Sequence, residues 1–520
     1  MAKFITTKEA AYLIKDESRI GTAGFVLTGA AEEIFFEIEN RYQETSNPKN
    51  LSIMFASGIG DGKNIRGINH LSYEGLLKKI IAGHYGLIPK LQPLIFQNKI
   101  EAYNFPQGVL SQMFREMAAK KPGVLTHVGL GTFADPDFEG GKLNEKSKEN
   151  IVQKIKVNDQ DYLFYQSQEI DVAILRGTES DENGNIGFSK EALTLESLAV
   201  AQAAHNNGGM VIVQVEKKVK NGAIDPKNVV IPGILVDYVA LTSDLKNHMQ
   251  TAGTQFNENF IENKNIIKSE KVDFPLCLRK AKCRRAALQV TRDQVVLNYG
   301  IGVPEGVALI LKEEGLEKHF TATVEPGLIG GTPLGSLNFG SALLPEAFVD
   351  ECYQFDFYDG GGIDITFLGM AQCDETGSLN VSKFGPKIAG CGGFIDISQN
   401  AKEAVFMGSF TAGGLETEIK DGKLHIIKEG KIKKFIKKVE QITFNGEYER
   451  KKDRKITLIT ERCVFELRKE GLILTEIAPG IDLEKDILGQ MEFTPKMAEP
   501  LKTMDSRIFR DEPMGLKKDF

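Results

Sequence analysis

One glutamate is placed as a nucleophile or an acid–base group would be. Glu325 follows a run of β-forming residues and is followed by Pro326 and Gly327. In open α/β sheets, ligands bind beyond the carboxyl ends of the strands, so a carboxylate at such an end is well placed for chemistry. The proline disfavours a helix at Glu325 and keeps that residue extended. On these residues alone, an exposed carboxylate in a turn remains the alternative.

A glycine-rich segment farther along the chain is a candidate source of hydrogen-bond donors. Residues 387–394 read KIAGCGGF and contain Gly390, Gly392 and Gly393. Residues without a Cβ let backbone N–H groups approach a ligand, where such groups stabilise an oxyanion. A plain tight turn before the strand or helix at 394–397 is the alternative.

Other chemical signatures fail on spacing or are absent from the sequence. The loop at 58–63 lacks the pattern of a Walker A phosphate loop, and the glycines at 300–306 do not complete a dinucleotide-binding turn. The seven histidines contain no HxxxH pair, and no GxSxG nucleophile elbow occurs. The six cysteines contain no CxxC pair. We therefore expect no metal site and a reduced, cytoplasmic chain.

Composition and charge exclude several classes of protein. The 520 residues include 64 basic and 71 acidic side chains. The net charge of −7 shows no overall excess of basic residues of the kind that binds nucleic acid. No apolar run is long enough to span a membrane, and no signal or transit peptide is visible. Glycine supplies 52 residues without a three-residue period, which indicates tight turns and places where a ligand approaches the backbone.

The elements that must position these residues recur along the chain. A helix, a short strand, a glycine loop and a second helix are predicted within 10–39, and the same order returns within 275–312. Residues 169–189 and 362–382 both read as an apolar strand that leads into an Asp-Glu-x-Gly turn. A third correspondence pairs residues 126–130 with 324–328 and sets His127 opposite Glu325.

The repeated order predicts two related domains, at 1–268 and 275–520, joined by a polar linker at 263–271. Strands alternate with helices, so the fold class is α/β, with two open domains and largely parallel sheets. Residues 455–460 and 463–467 are predicted to add a pair of antiparallel strands to the second half.

The chain resembles the family I coenzyme A transferases. It is most like the single-chain propionate/acetate CoA-transferases and is similar also to succinyl-CoA:3-ketoacid CoA-transferase. The resemblance covers nearly the whole chain, and its specificity lies in the order of the matching segments, which are 21–33, 56–63, 69–70, 105–108, 324–331, 390–394 and 474–483. It implies a duplicated CoA-transferase fold.

The resemblance also implies a role for each candidate residue. Glu325 is the nucleophile that becomes a glutamyl-CoA thioester, and the Gln107 amide helps to bind the reacting carbonyl. Gly392 or Gly393 donates to the oxyanion, within a loop that also contacts CoA from Gly390 onward. The further residues expected to contact CoA are Gly300, Ile301, Gly302, Val303, Pro304 and Asn380. The thiol of Cys391 has no expected part in the chemistry.

The implied reaction moves CoA from a short-chain acyl-CoA to a free carboxylate by a ping-pong mechanism. CoA is then a substrate, no cofactor is tightly bound, and the expected partners are acyl-CoA, short-chain acids and further copies of the chain in a dimer or tetramer. Acetate, propionate, butyrate, lactate and acetoacetate remain open as acids. An acyl-CoA hydrolase on the same scaffold and a non-catalytic CoA-binding protein are the alternatives.

Overall fold

The computed structural model describes residues 2–264, 273–292 and 295–518 of the protein. These residues form a mixed α/β structure with two large, mainly parallel sheets, which confirms the predicted fold class. One sheet takes its strands from 3–241 and the other from 295–503. The predicted linker at 263–271 lies mostly outside the described residues, and the domain boundaries at 1–268 and 275–520 stay predictions.

The first sheet is parallel throughout and runs in the order β1-β8-β7-β6-β2-β3-β4-β5. Its strands are β1 (Lys3–Thr6), β2 (Arg19–Thr22), β3 (Leu51–Phe55), β4 (Leu77–Ala82), β5 (Glu101–Asn104), β6 (Val172–Arg176), β7 (Met210–Val215) and β8 (Tyr238–Leu241). Every residue of β6 is buried, as expected for a parallel strand covered on both faces.

The second sheet has a parallel centre and mainly antiparallel edges, in the order β12-β11-β10-β9-β13-β14-β15-β16-β17-β18. Its strands are β9 (Val295–Tyr299), β10 (Phe320–Val324), β11 (Leu328–Ile329), β12 (Ala347–Phe348), β13 (Ile365–Gly369), β14 (Glu403–Met407), β15 (Lys455–Ile459), β16 (Cys463–Arg468), β17 (Gly471–Ile477) and β18 (Lys496–Thr503). Strands β10, β9, β13, β14 and β15 are parallel. The antiparallel pairing of β15 with β16 confirms the prediction for 455–467.

Helices connect the strands, and the described ones are α1 (Thr7–Leu13), α2 (Glu32–Thr45), α3 (Gln92–Phe96), α4 (Gln107–Ala118), α5 (Ser197–Asn206), α6 (Leu278–Ala287), α7 (Glu305–Glu313), α8 (Glu351–Asp359), α9 (Phe394–Asn400) and α10 (Gly446–Glu449). Helix α1 begins with the capping box that the sequence predicts, in which Thr6 and Glu9 satisfy each other's backbone N–H groups. In the described part of the chain, no helix is both long and apolar enough to cross a membrane.

The structure also contains smaller sheets and short strands. A three-stranded antiparallel sheet joins Gly123–Thr126, Gln160–Gln166 and Val152–Val157, and a hairpin joins Glu416–Lys420 to Lys423–Lys428. Shorter strands lie at Glu179–Ser180, Ile186–Gly187, Lys217–Lys218, Val229–Ile231, Thr332–Pro333, Ala342–Leu343, Gln372–Asp374, Leu379–Asn380, Lys383–Phe384, Lys387–Ile388, Thr411–Ala412, Ile432–Lys433 and Phe435–Ile436.

Two of the three predicted internal correspondences are confirmed. Helix α1, strand β2 and helix α2 match α6, β9 and α7 in order, and β6 and β13 occupy the same place beside β2 and β9. The turns after β6 and β13 agree in detail: Oδ1 of Asp181 accepts the N–H groups of the residues two and four positions later, and so does Oδ1 of Asp374.

The third correspondence, between 126–130 and 324–328, is wrong. The strand before His127, Gly123–Thr126, lies in the small antiparallel sheet, whereas β10 lies in the large sheet beside β9. The strand that occupies the place of β10 in the first half is β3, because β3 lies parallel beside β2. Similar glycine turns follow both segments, and only the strand pairing shows that Ala56, rather than His127, takes the place of Glu325.

Candidate active site

Glu325 lies directly after β10, at the carboxyl edge of the parallel strands. Only 9% of its surface is exposed. Burial raises the pKa of its carboxyl group to about 7, because the interior disfavours the charged form. At neutral pH the carboxyl group is thus divided between its neutral and ionised forms.

The turn after Glu325 depends on a glycine. Gly327 has a φ of +113°, its N–H donates to the Val324 carbonyl at 3.1 Å, and a Cβ there would lie 1.9 Å from the carbonyl oxygen of Val349. No side chain fits that space. The chain can therefore turn sharply behind Glu325 and leave its carboxyl group at the strand end.

Gly393 faces the carboxyl group of Glu325. A Cβ built on Gly393 would lie 3.1 Å from Oε2 of Glu325 and 3.1 Å from the Phe355 ring. The Gly393 N–H has no hydrogen-bond acceptor among the described residues, whereas the Gly392 N–H donates to the carbonyl of Gly83 at 2.7 Å. Of the two glycine amides considered from the sequence, only that of Gly393 is therefore left without an acceptor among the described residues.

Gln107 reaches the same place from the first half of the chain. It is the first residue of α4, after β5, and its backbone N–H donates to the Gly392 carbonyl at 3.0 Å. Its Oε1 would lie 3.7 Å from a Cβ on Gly392, and its Nε2 donates to Oε1 of Glu351 at 2.8 Å. The structure thus brings Glu325, Gln107, Gly392 and Gly393 together; their roles stay predictions.

The glycine-rich loop is held by the edge of the first sheet. His84 and Gly390 form a β-bridge, the Cys391 N–H donates to Oδ1 of Asn104 at 3.0 Å, and a Cβ on Gly390 would lie 2.7 Å from the Gly83 carbonyl oxygen. Burial lowers the pKa of His84 to about 4, so this histidine is neutral at pH 7. The absence of a side chain at Gly390 therefore allows close contact between the two halves of the chain.

Two buried carboxyl groups beside Gln107 were not identified from the sequence. Glu351 begins α8, and Glu196 precedes α5; both side chains are buried. Burial raises the pKa of both, and for Glu351 the charge of Glu196 adds to the effect. The only signal in the sequence is an acidic residue at the start of each helix, which usually marks an ordinary helix start.

The loop 300–304 lies beside Glu325, because β9 and β10 are parallel neighbours that end at the same edge. The Gly300 N–H donates to the Phe367 carbonyl at 2.8 Å, which ties the loop to the next strand. Gly302 has a φ of +88°, and a Cβ there would meet nothing within 4 Å. Ile301 is exposed. The loop is thus an open surface next to the carboxyl group, with Val303 and Pro304 leading into α7.

Asn380 supports the glycine-rich loop indirectly. Its Nδ2 donates to Oε1 of Gln372 and to the Lys383 carbonyl, each at 2.6 Å, and its Oδ1 accepts the Ser382 N–H. The Ser382 carbonyl in turn accepts the Gly390 N–H at 3.0 Å. Contact between Asn380 and CoA stays a prediction.

The thiol of Cys391, in the glycine-rich loop, is not activated as a nucleophile. Burial raises the pKa of the Cys391 thiol well above its ordinary value, so it is protonated at neutral pH. All six cysteines are free. Across the described ranges, no cluster of histidine, cysteine, aspartate and glutamate side chains is arranged to hold a metal ion.

Comparisons with known proteins show which family the chain resembles. A family model described as "Coenzyme A transferase" matches residues 4–242. The chain is 47% identical to caffeate CoA-transferase of Acetobacterium woodii, over 99% of both chains. It is 43% identical to acetate CoA-transferase YdiF of Escherichia coli strain K12, over 98% of this chain and 96% of YdiF.

The fold matches a solved structure of the same group. The crystal structure of the acyl-CoA transferase YdiF from E. coli O157:H7, in a thioester complex with CoA, has a TM-score of 0.92 and 42% sequence identity, and the match covers 99% of this chain and 97% of YdiF. Identity at this level over nearly the whole length confirms the resemblance drawn from the ordered motifs. The chain therefore belongs to the coenzyme A transferase family.

Proposed function

We propose that the protein transfers CoA between a short-chain acyl-CoA and a free carboxylate by a ping-pong reaction through a thioester on Glu325. The observation that carries the proposal is the meeting of a buried carboxyl group at a strand end with the free N–H of Gly393 and the amide of Gln107. A nucleophile and two hydrogen-bond donors from separate elements are what stepwise acyl transfer needs.

In the first half-reaction, the ionised carboxylate of Glu325 attacks the thioester carbonyl of the acyl-CoA. The C–S bond breaks, CoA leaves as a thiolate, and an acyl–glutamyl anhydride remains. The thiolate then attacks the Glu325 carbonyl, which releases the first acid as a carboxylate and leaves the glutamyl-CoA thioester. A second acid reverses these steps and leaves as its CoA ester.

Electrostatic stabilisation supports both steps. Each attack develops an oxyanion, and one preorganised hydrogen-bond donor contributes about 2.7–4 kcal/mol to the stability of the transition state. The Gly393 N–H is the better backbone candidate, because the Gly392 N–H already donates to Gly83. With a pKa of about 7, Glu325 is ionised in a large fraction of molecules at neutral pH and remains a stronger base than an exposed glutamate.

The surroundings also suit a long substrate and a reaction that excludes water. Loop 300–304 offers open backbone beside Glu325 for the CoA chain, and burial of Glu325 protects the anhydride and thioester from hydrolysis. Relatives named acetate and caffeate CoA-transferase indicate that the acid pocket varies within the group. We therefore propose short-chain acids as substrates, with caffeate-like acids in the test panel.

The proposal is tested by incubating the full chain with acetyl-CoA and analysing its peptides by mass spectrometry. We expect a CoA adduct on the peptide that contains Glu325. The Glu325→Ala variant should lose both adduct and transfer, whereas Glu375→Ala, at an exposed glutamate, should keep both. Transfer that survives in Glu325→Ala contradicts the assignment.

A second measurement separates transfer from hydrolysis. Acetyl-CoA consumption is followed with and without acetate, propionate, butyrate, lactate, acetoacetate or caffeate. A transferase forms a new CoA ester in proportion to the added acid, whereas a hydrolase releases CoA at a rate that ignores the acid. Neither turnover nor adduct would identify a CoA-binding protein.

A further inference from the structure

Among the residues that the structure describes, the Gln107 side chain has one hydrogen-bond partner, and that partner belongs to a pair of buried acids. Nε2 of Gln107 donates to Oε1 of Glu351 at 2.8 Å. The Glu351 N–H donates to the carbonyl of Leu195 at 3.0 Å, so Glu351 packs directly against the chain that carries Glu196. Glu351 is fully buried and Glu196 is 2% exposed. This contact links α4, α8 and the start of α5 next to Glu325.

The pair has more hydrogen-bond acceptors than donors. Within the described part of the chain, Oε2 of Glu351 and both carboxylate oxygens of Glu196 have no partner of ordinary hydrogen-bond geometry. Two buried carboxyl groups side by side hold a proton between them, because both cannot ionise in a medium of low dielectric. A proton on Oε2 of Glu351, directed to Glu196, leaves Oε1 as the acceptor for Gln107.

This arrangement fixes the orientation of the Gln107 amide. The last torsion of glutamine is broad, and its two orientations exchange an N–H donor for a carbonyl acceptor. With one N–H held by Glu351, Nε2 keeps a second N–H, and Oε1 lies on the side of Gly392. In the opposite orientation Oε1 would face the Glu351 carboxyl group and Nε2 would lose this hydrogen bond, so the position of the donor would no longer be fixed.

We propose that Glu351, backed by Glu196, is a positioning residue that fixes the orientation of the Gln107 amide, so that the second N–H of Nε2 is held in one place for the reacting carbonyl. This inference rests on the proposed function, in which Gln107 donates to the oxyanion formed at Glu325. It assigns a part in the reaction to two buried acids, of which Glu351 holds Gln107 directly and Glu196 lies behind Glu351.

The test compares transfer rates of Glu351→Ala, Glu351→Gln and Gln107→Ala with those of the wild-type chain. Complete loss of a preorganised donor lowers kcat by roughly 10²–10³-fold. We expect kcat of Glu351→Ala to be at least about tenfold below that of the wild-type chain, with little change in KM. Glu351→Gln should stay within about threefold of wild type, because its amide can accept from Gln107 and donate to Glu196.

A double variant shows whether Glu351 acts through Gln107. If it does, adding Glu351→Ala to Gln107→Ala has little further effect on kcat, because the group to be positioned is already gone. Independent, additive losses overturn the proposal, and so does a Glu351→Gln variant as slow as Glu351→Ala.

The chain offers a matched control on the same two helices. Gln112 of α4 donates to Asp356 of α8 at 3.1 Å, one turn farther along than Gln107 and Glu351. Gln112→Ala should leave kcat within about twofold of wild type. A loss of kcat equal to that of Glu351→Ala would instead indicate that both contacts act only by holding the two helices together. Melting temperatures of all variants are measured alongside.

The same samples separate failure of this inference from failure of the proposed function. If the wild-type chain transfers CoA but forms no adduct on Glu325, the thioester route is wrong, whatever the Glu351 variants do. If the wild-type adduct forms and Glu351→Ala forms it at the wild-type rate in a single turnover, the positioning role is wrong while the route stands.

Discussion

Replacing Glu325 with glutamine should make the folded protein more stable at neutral and alkaline pH. The pKa of this carboxyl group is about 7 in the folded chain, against 4.5 for an ordinary glutamate. One pKa unit corresponds to about 1.4 kcal/mol, so an ionised Glu325 costs the fold about 3 kcal/mol. Glutamine has nearly the same shape and avoids that cost.

The sign follows from which state holds the proton. Between pH 4.5 and 7 the folded chain keeps the proton on Glu325 and the unfolded chain releases it, so the wild-type stability falls as pH rises through this window. Glu325→Gln has no such loss. The difference in unfolding free energy between variant and wild type should therefore grow from about pH 4.5 and level off above about pH 7.5.

Thermal melting in a series of buffers measures this difference. An entropy of unfolding near 2.1 cal/mol/K per residue gives about 1.1 kcal/mol/K for 520 residues, so 3 kcal/mol raises Tm by about 3 °C if the chain melts as one unit. The control is Glu375→Gln, at an exposed turn, whose Tm difference should not change with pH. A Glu325→Gln difference that stays flat from pH 5 to 8 would refute the assigned desolvation of Glu325.

Three further predictions concern the same neighbourhood. Gly393→Ala places a Cβ 3.1 Å from Oε2 of Glu325 and should slow thioester formation at least about tenfold in a single-turnover assay, with little change in Tm. Gly327→Ala combines a φ of +113° with a contact of 1.9 Å to the Val349 carbonyl, so it should lower the unfolding free energy by more than about 2 kcal/mol in denaturant titrations. Cys391→Ala should keep transfer within about threefold of wild type, because the buried thiol is protonated at neutral pH; a larger loss in steady-state assays would assign this thiol a part in the reaction.

Much of the fold could be predicted from the sequence because its signals are local. The capping box at Thr6 and Glu9 begins α1 as expected, and the turn at Asp374 repeats the backbone N–H bonds to Oδ1 that are seen at Asp181. Such features depend on residues within a few positions of each other. The correspondence of His127 with Glu325 failed for the opposite reason: similar glycine turns say nothing about which sheet the preceding strand joins.

The sequence by itself determined the alternation of strands and helices, the family, and the nucleophile candidate at a strand end. Only the tertiary structure decided which groups meet there. In the described residues, the Gly392 N–H donates to Gly83, the Gly393 N–H has no acceptor, and Glu351 and Glu196 lie behind Gln107. The hydrogen bonds of Gly392 with Gly83 and of Gln107 with Glu351 each join residues more than 200 positions apart. The distances, burial and raised pKa values at this site therefore arise from packing, and no short pattern in the sequence encodes them.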